Sequence, residues 1–201
     1  MSNRYEMRFA GSGGQGVILA SVIMAEAAVI AGLNTVQSQA YGPEARGGVS
    51  KAETVVSREK IWYSKVSRPN FLLALTQASL NAYSGTLAEG AAVMMDESLQ
   101  RPEPLPEERI IAVPILRTAR EKVGKAFTAN IVAVGCINEL LHLVDRETME
   151  TAVLMHVPAG TEALNRKALE EGEKLAAGLN AAKDAPAPRK KAASKKEEAR
   201  A

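Results

Sequence analysis

The first thirty residues constrain the fold more than any other part of this chain. Tyr5, Met7 and Phe9 alternate with less apolar neighbours, then come Gly11, Ser12, Gly13, Gly14, Gln15 and Gly16, then a nearly unbroken apolar run from Val17 to Leu33. Alternation with a period of two over Tyr5–Ala10 reads as a strand. The apolar run, interrupted only by residues such as Ser21 and Glu26, reads as a helix over Gly16–Ala31 that Gly32 and Asn34 close. A helix that is apolar nearly all round must be covered on more than one side, which calls for a sheet with helices packed on it. The turn between strand and helix leaves backbone amides bare at the positive end of that helix. No Cβ then stands between them and an approaching phosphate. Gly11, Gly13 and Gly16 also have the G-x-G-x-x-G spacing of a dinucleotide-binding turn.

The remainder repeats the theme. Thr35–Ser38 reads as a second strand, Tyr41 to Gly48 as a turn-rich loop, Val49–Val56 as a third strand and Ile61–Tyr63 as a short edge partner. Phe71–Leu75, Ala91–Met95 (ending at Asp96) and Ile110–Val113 are compact apolar runs expected to be buried strands, with a helix over Gln77–Tyr83 and a three-proline loop over Gln100–Pro106. From there the pattern is helical over Leu116–Val123, Thr128–Leu143, Arg146–Leu154 and Thr161–Leu179, with Asp145 and Thr161 as N-caps. The expected fold class is α/β: a single-domain sandwich with a largely parallel sheet flanked by helices. The expected domain spans 1–180, and 181–201 is a Lys/Ala/Pro-rich tail without periodicity, expected to be disordered. In such sheets ligands bind beyond the carboxyl ends of the strands, where Gly11–Gly16, Gln39–Gly48, Thr76 and Asp96 fall.

Charge and cysteine content exclude several functions. The net charge of +2 hides a tail with seven Lys and Arg against three Asp and Glu from Lys183 onward, so the body before it carries about −2. A body of that charge is not a general binder of nucleic acid. Cys136 is the single cysteine, which rules out an internal disulfide framework and any cysteine-ligated zinc or iron–sulfur cluster held by this chain alone. It sits in an apolar run and reads as a small buried hydrophobe. The polar start, Met1 to Arg8, is no signal peptide, and no run suits a membrane span; the expected compartment is the cytoplasm.

The glycine turn lacks the partners of its best-known users. A nicotinamide site wants an acidic residue at the end of the second strand, and Asn34 to Ala40 holds none. A P-loop wants Gly-Lys followed by Ser or Thr, whereas Gly16 precedes Val17 and Ile18. Two readings stand: a phosphate cradle, or a turn whose glycines serve only close packing. The second loop gathers Tyr41, Gly42, Glu44, Arg46, Gly47 and Gly48 within eight residues. Arg46, oriented by Glu44, could clamp a phosphate or carboxylate; equally the two could form a weak surface pair. No catalytic set emerges: His142 and His156 have no metal-spaced neighbours, Ser12 lacks a nucleophile-elbow context, and Asp96 and Glu97 suit a capping role.

The two loops together, Phe9–Gly16 and Gln39–Gly48, with Arg68–Leu75 and Asn130 in support, closely resemble the gamma subunit of 2-oxoacid:ferredoxin (acceptor) oxidoreductases, nearest the 2-oxoglutarate and related 2-oxoacid branch. The resemblance covers about Arg4 to Leu179. It implies the pyruvate/ketoisovalerate oxidoreductase gamma fold and a non-catalytic subunit of an enzyme that turns a 2-oxoacid and coenzyme A into acyl-CoA, carbon dioxide and reduced acceptor. It further implies that coenzyme A binds at this chain's surface, with Gly11, Ser12, Gly13, Gly14, Gln15 and Gly16 and the Tyr41–Gly48 loop as binding residues. Thiamine diphosphate, Mg2+ and the iron–sulfur clusters would sit on partners: alpha and beta subunits and a delta or ferredoxin-like one. The absence of a Gly-Asp-Gly run agrees with thiamine diphosphate lying elsewhere. The alternatives are a stand-alone nucleotide-binding dehydrogenase and a purely structural scaffold subunit.

Overall fold

The computed structural model describes residues 4–40, 48–103, 105–106 and 109–184; within its last helix, side chains are described to residue 179. Its strands are β1 (Arg4–Ser12), β2 (Asn34–Ala40), β3 (Val49–Ser57), β4 (Phe71–Ala74), β5 (Ala92–Asp96) and β6 (Ile110–Val113). The helices are α1 (Val17–Ile30), α2 (Gln77–Tyr83), α3 (Ile115–Thr118), α4 (Ala129–Leu141), α5 (Arg146–His156) and α6 (Glu162–Asp184). The six strands form one sheet in the order β2-β3-β1-β4-β5-β6. β1, β4, β5 and β6 pair in parallel, while β3 runs antiparallel to both β1 and β2. The sheet is therefore mixed and mostly parallel, as the alternation of short apolar strands with helices implies.

Inserting β3 beside β1 has a functional consequence. In a dinucleotide-binding half the second strand neighbours the first and brings its acidic residue to the ribose. Here β2 is an edge strand, separated from β1 by the whole of β3, so that position does not exist. Ile61–Tyr63 is not a strand: both sides of β3, which it follows, are taken by β1 and β2, and the segment joins no ladder.

Strand alternation sorts the two faces. Met7, Phe9, Phe71, Leu73 and Met94 point to the side covered by α1, α4, α5 and α6, where the main core lies. Ala10, Leu72, Ala74, Val93 and Met95 face the other way, under Leu80 of α2. Arg8, alternating with Phe9, is also on this second face. Its guanidinium contacts the Glu53 carboxylate of β3 at 2.7 and 2.8 Å, donates to Thr86 Oγ1 at 3.0 Å and the Val66 carbonyl at 3.4 Å, and lies 5.1 Å from the Tyr83 ring centroid. On the first face a smaller polar link ties α1 to β3. Thr54 Oγ1 donates to the Ser21 carbonyl at 2.9 Å and lies 2.8 Å from the Ser21 hydroxyl, all of it buried.

The helices depart from the sequence pattern in two places. The expected helix Leu116–Val123 divides, because Ala119–Val123 widens into a π turn in which the N–H groups of Gly124 and Lys125 both reach the Ala119 carbonyl, at 3.0 and 2.9 Å; Gly124 at φ 95 closes it. The last helix continues to Asp184, past the Asn180 boundary expected for the domain. Asp145 does cap α5, accepting from the Thr148 N–H at 2.8 Å, a bond that holds its carboxyl below the usual range. Thr161, by contrast, sends its hydroxyl proton to the Pro158 carbonyl.

α4 and α6 touch backbone to backbone. A Cβ added at Gly135 would meet the Leu169 carbonyl oxygen at 2.2 Å, and one at Gly172 the Val132 carbonyl oxygen at 2.0 Å. Neither neighbour can yield without moving a helix. Gly135→Ala and Gly172→Ala should each lower stability by about 3 kcal/mol, the upper end of overpacking costs, or prevent folding; chemical denaturation with unchanged m-value reads the loss. Beside this crossing Cys136 is fully buried. Burial, with the Glu139 carboxylate adding to it, pushes its thiol up to about 12. It should therefore resist a thiol-reactive dye at pH 8 in the folded protein and react at once in denaturant.

Candidate functional site

The turn after β1 is built by its own side chains and by a distant helix. The Gln15 amide oxygen accepts from the Ser12 N–H at 2.8 Å, its Nε2 donates to the Leu75 carbonyl at 3.4 Å, and the Gln15 N–H bonds the Ser12 carbonyl at 3.2 Å. Gln15 therefore faces inward and stitches the end of β1 to the exit of β4, where the Leu75 N–H also bonds the Ala10 carbonyl at 3.0 Å. It shapes the turn rather than lining its outer surface.

The four glycines have different reasons to be glycine. Gly11 is buried, and a Cβ there would meet Gln15 Oε1 at 2.6 Å and Val17 Cγ1 at 2.9 Å. Gly16 has φ 69, and a Cβ on it would strike the Asn130 amide. Gly14 has φ 87, which a side chain tolerates poorly. Gly13 has neither reason. It is exposed, has no positive φ, and a Cβ would have nothing within 4 Å.

Asn130, in the first turn of α4, donates from Nδ2 to the Gly16 carbonyl at 3.3 Å and so brings the start of α4 against the start of α1. Both starts lack a side-chain cap, and neither has an acidic residue in its first turn. Thr128, which stands where a cap would, donates its hydroxyl to the Lys125 carbonyl at 2.8 Å instead. The neighbouring helices differ. Thr76 and Ser79 form a reciprocal capping box on α2. Asp96 accepts from the Leu116 N–H of α3 at 2.8 Å and from the Ser98 N–H at 3.1 Å, which settles it as a cap. Among the described residues, α1 and α4 are the helices rising from this edge whose N-termini no side chain caps; they lie side by side, and their partial positive charges add. An anion is the natural complement of such a place.

The strand ends that flank the second loop meet the same edge. Ser12 pairs with Val49 and Gly11 with Ser50, so β3 begins directly beside the glycine turn, and Ala40 pairs with Lys51 as β2 ends there. Gly48 is half-buried at this junction. Tyr41, Gly42, Glu44, Arg46 and Gly47 lie outside the described residues. Asn130 as the lock on Gly16, and the bare start of α4, are features that no local sequence signal announces. His142 is exposed at the end of α4 with φ 46 and takes no part. Among the described residues no group of three His, Cys, Asp or Glu could hold a metal ion, and no helix is long and apolar enough to cross a membrane.

Residues 6–175 match the protein family described as pyruvate ferredoxin/flavodoxin oxidoreductase. The chain is 41% identical over 179 residues to the 2-oxoglutarate synthase subunit KorC of Methanocaldococcus jannaschii, covering 88% of this chain and 96% of that one. Its structure superposes on the crystal structure of the keto/oxoacid ferredoxin oxidoreductase gamma subunit of Geobacter sulfurreducens with a TM-score of 0.76 and 44% identity, covering 87% and 99% of the two chains. The fold also matches the 2-oxoglutarate:ferredoxin oxidoreductase of Magnetococcus marinus, solved with 2-oxoglutarate, coenzyme A and succinyl-CoA, at TM-score 0.78 and 23% identity; 89% of this chain corresponds to 32% of that longer one.

The glycine turn makes a divided prediction about stability. Gly16→Ala must strain φ 69 and displace Asn130, so it should lower the melting temperature by several degrees, about 1–3 kcal/mol. Gly13→Leu should melt within about one degree of the parent, because surface changes away from such features stay near zero. Calorimetry on the two variants checks both.

Proposed function

Because this chain belongs to the pyruvate ferredoxin/flavodoxin oxidoreductase family, as a gamma subunit of a 2-oxoacid:ferredoxin oxidoreductase, we propose that its own share of the work is to hold coenzyme A at the edge formed by the starts of α1 and α4. The observation that carries this reading is Gly13. The other three glycines of the turn are required by packing or backbone conformation, whereas Gly13 leaves an open approach to a helix start that no side chain among the described residues caps. A purely structural turn gives no reason for it.

Coenzyme A suits the place chemically. Its pyrophosphate and 3′-phosphate are multiply charged acceptors, and two adjacent uncapped helix starts, with no acidic residue in either first turn, supply N–H donors and positive potential. Arg46, on the loop that departs beside Ser12, would add a bidentate clamp for a second phosphate, with Glu44 orienting it. Coenzyme A and succinyl-CoA in the Magnetococcus marinus enzyme support the same choice of ligand. The substrate is a 2-oxoacid, with 2-oxoglutarate favoured by the KorC relative. The chemistry on the oxo group belongs to partners in the cytoplasm: alpha and beta subunits carrying thiamine diphosphate and Mg2+, and cluster-bearing subunits that pass electrons to ferredoxin. With one cysteine, this chain has no ligand set for such clusters. Its part is to present the acyl acceptor.

Gly13→Leu is the direct test, since it fills the open approach while leaving the fold intact. In the assembled oxidoreductase the apparent KM for coenzyme A should rise about tenfold or more, the equivalent of one charge-assisted hydrogen bond, with KM for the 2-oxoacid unchanged. An unaltered KM for coenzyme A with intact assembly rejects the ligand role and leaves a packing element.

A further inference from the structure

The connection from β3 to β4 lies at the end of the sheet opposite the glycine turn. Because β3 runs antiparallel to β1, its last residue, Ser57, pairs with Arg4 at the start of β1 and with Asn34 at the start of β2. Residues 58–70 cross this far end before β4 begins at Phe71. The segment carries the chain's single tryptophan and one of its four tyrosines, in a sequence with few aromatics. Trp62 is 83% exposed and Tyr63 62% exposed. Arg58, Lys60, Lys65 and Arg68, all exposed, stand against Glu59 alone, a net +3 on a body of about −2. Lys60 sits 4.2 Å from the Trp62 ring centroid.

This display is held in place from behind. Asn34 Nδ2 donates to the Arg58 carbonyl at 3.4 Å, Arg4 Nη2 to the Tyr63 carbonyl at 3.2 Å, Arg8 Nη2 to the Val66 carbonyl at 3.4 Å, and the Ala88 N–H to the Pro69 carbonyl at 3.0 Å. Val66 and Pro69 are buried as anchors. A backbone pinned at four points while its aromatic side chains face solvent has already met much of the ordering cost of association. Tryptophan, tyrosine and arginine are also the residues on which interfaces concentrate their energy.

We infer that residues 58–68 form a docking surface for another subunit of the same oxidoreductase, one that offers an acidic surface with an apolar recess for Trp62. The inference goes beyond coenzyme A binding and rests only on the subunit assignment. A second copy of this chain is a poor occupant, because a two-fold contact would set +3 against +3. An anionic membrane would attract the patch yet repel the net negative body that carries it. A protein partner fits the family, in which a chain from Magnetococcus marinus carries this fold as 32% of its length, joined to the remainder of a larger polypeptide. Because the patch and the glycine edge occupy opposite ends of the sheet, this contact leaves coenzyme A access free.

The test uses the full chain labelled with 5-fluorotryptophan, which gives one 19F resonance, alone and assembled with the other subunits of its enzyme. Alone, the resonance should show the full solvent isotope shift; in the complex that shift should disappear. Trp62→Ala, exposed enough to leave the melting temperature unchanged, should weaken assembly at least tenfold by native mass spectrometry. The double variant Lys60→Glu with Lys65→Glu should do likewise and lose the parent's salt dependence. Trp62 still fully solvated in the assembled enzyme, or both variants assembling with the parent's midpoint, overturns the inference. Loss of the isotope shift only on adding phosphatidylserine vesicles overturns it in favour of a membrane surface. Coenzyme A dependence should stay at the parent value in any Trp62 variant that assembles, which keeps this test separate from that of Gly13→Leu.

Discussion

One hydrogen bond, from the Asn130 amide to the Gly16 carbonyl, joins residues 114 apart in sequence and decides what the carboxyl edge of the sheet can do. Gly16 is held left-handed and α1 is thereby launched at a fixed angle from the end of β1. α4 is brought in beside it, so that two helix starts share one small region. Each alone would carry about half a unit of positive charge, spread over amides that water satisfies easily. Together, with no carboxylate in either first turn, they make a stretch of this edge that no cap among the described residues neutralises. The capping of α2 by Thr76 and Ser79 and of α3 by Asp96 makes the contrast chemical rather than a matter of helix geometry.

The antiparallel strand β3 supplies the other half of the arrangement. It displaces β2 to the sheet edge, which removes the geometry a nicotinamide-binding fold would need, and it starts beside Ser12, so the second glycine-rich loop leaves from the same edge as the first. The same reversal carries residues 58–70 to the far end, with Trp62 on display. A single change of strand direction thus gives the subunit two separated faces. The proposed coenzyme A site and the proposed docking surface fall on these two separate faces, so covering one would leave the other open.

Much of the architecture was legible in the residues. The run Phe71–Leu75, the helix Gln77–Tyr83 and the strand–turn–helix at the start appear where their local patterns put them, because short apolar runs and glycine punctuation report local structure well. Pairing did not follow from pattern. Nothing near Val49–Ser57 declares that it runs against β1, and Ile61–Tyr63, expected as a short edge partner, pairs with no strand. The split after Thr118 depends on a wide turn around one carbonyl, and the α4–α6 contact on two glycines 37 positions apart, each unremarkable alone. At the candidate site, the turn was legible, but the difference between Gly13 and its three neighbours was not. That difference arises from Gln15 and Val17 crowding Gly11, from Asn130 crowding Gly16, and from the left-handed φ of 87 at Gly14. Likewise Thr128, expected as the first residue of its helix, stands at the N-cap of α4 and spends its hydroxyl proton backwards.

The ion pair between Arg8 and Glu53 lies on the face away from the main helices, in the middle of the β1–β3 ladder, where each is nearly sealed from water. Strand side chains alternate, so a slip of a single position would carry the guanidinium through the sheet into the company of Phe71 and Met24 with no carboxylate to meet it. An orphaned ion in such surroundings is far costlier than a mismatched methyl group. The ladder therefore penalises its own misalignment, and the register it keeps is the one that sets Val49 beside Ser12 at the glycine turn.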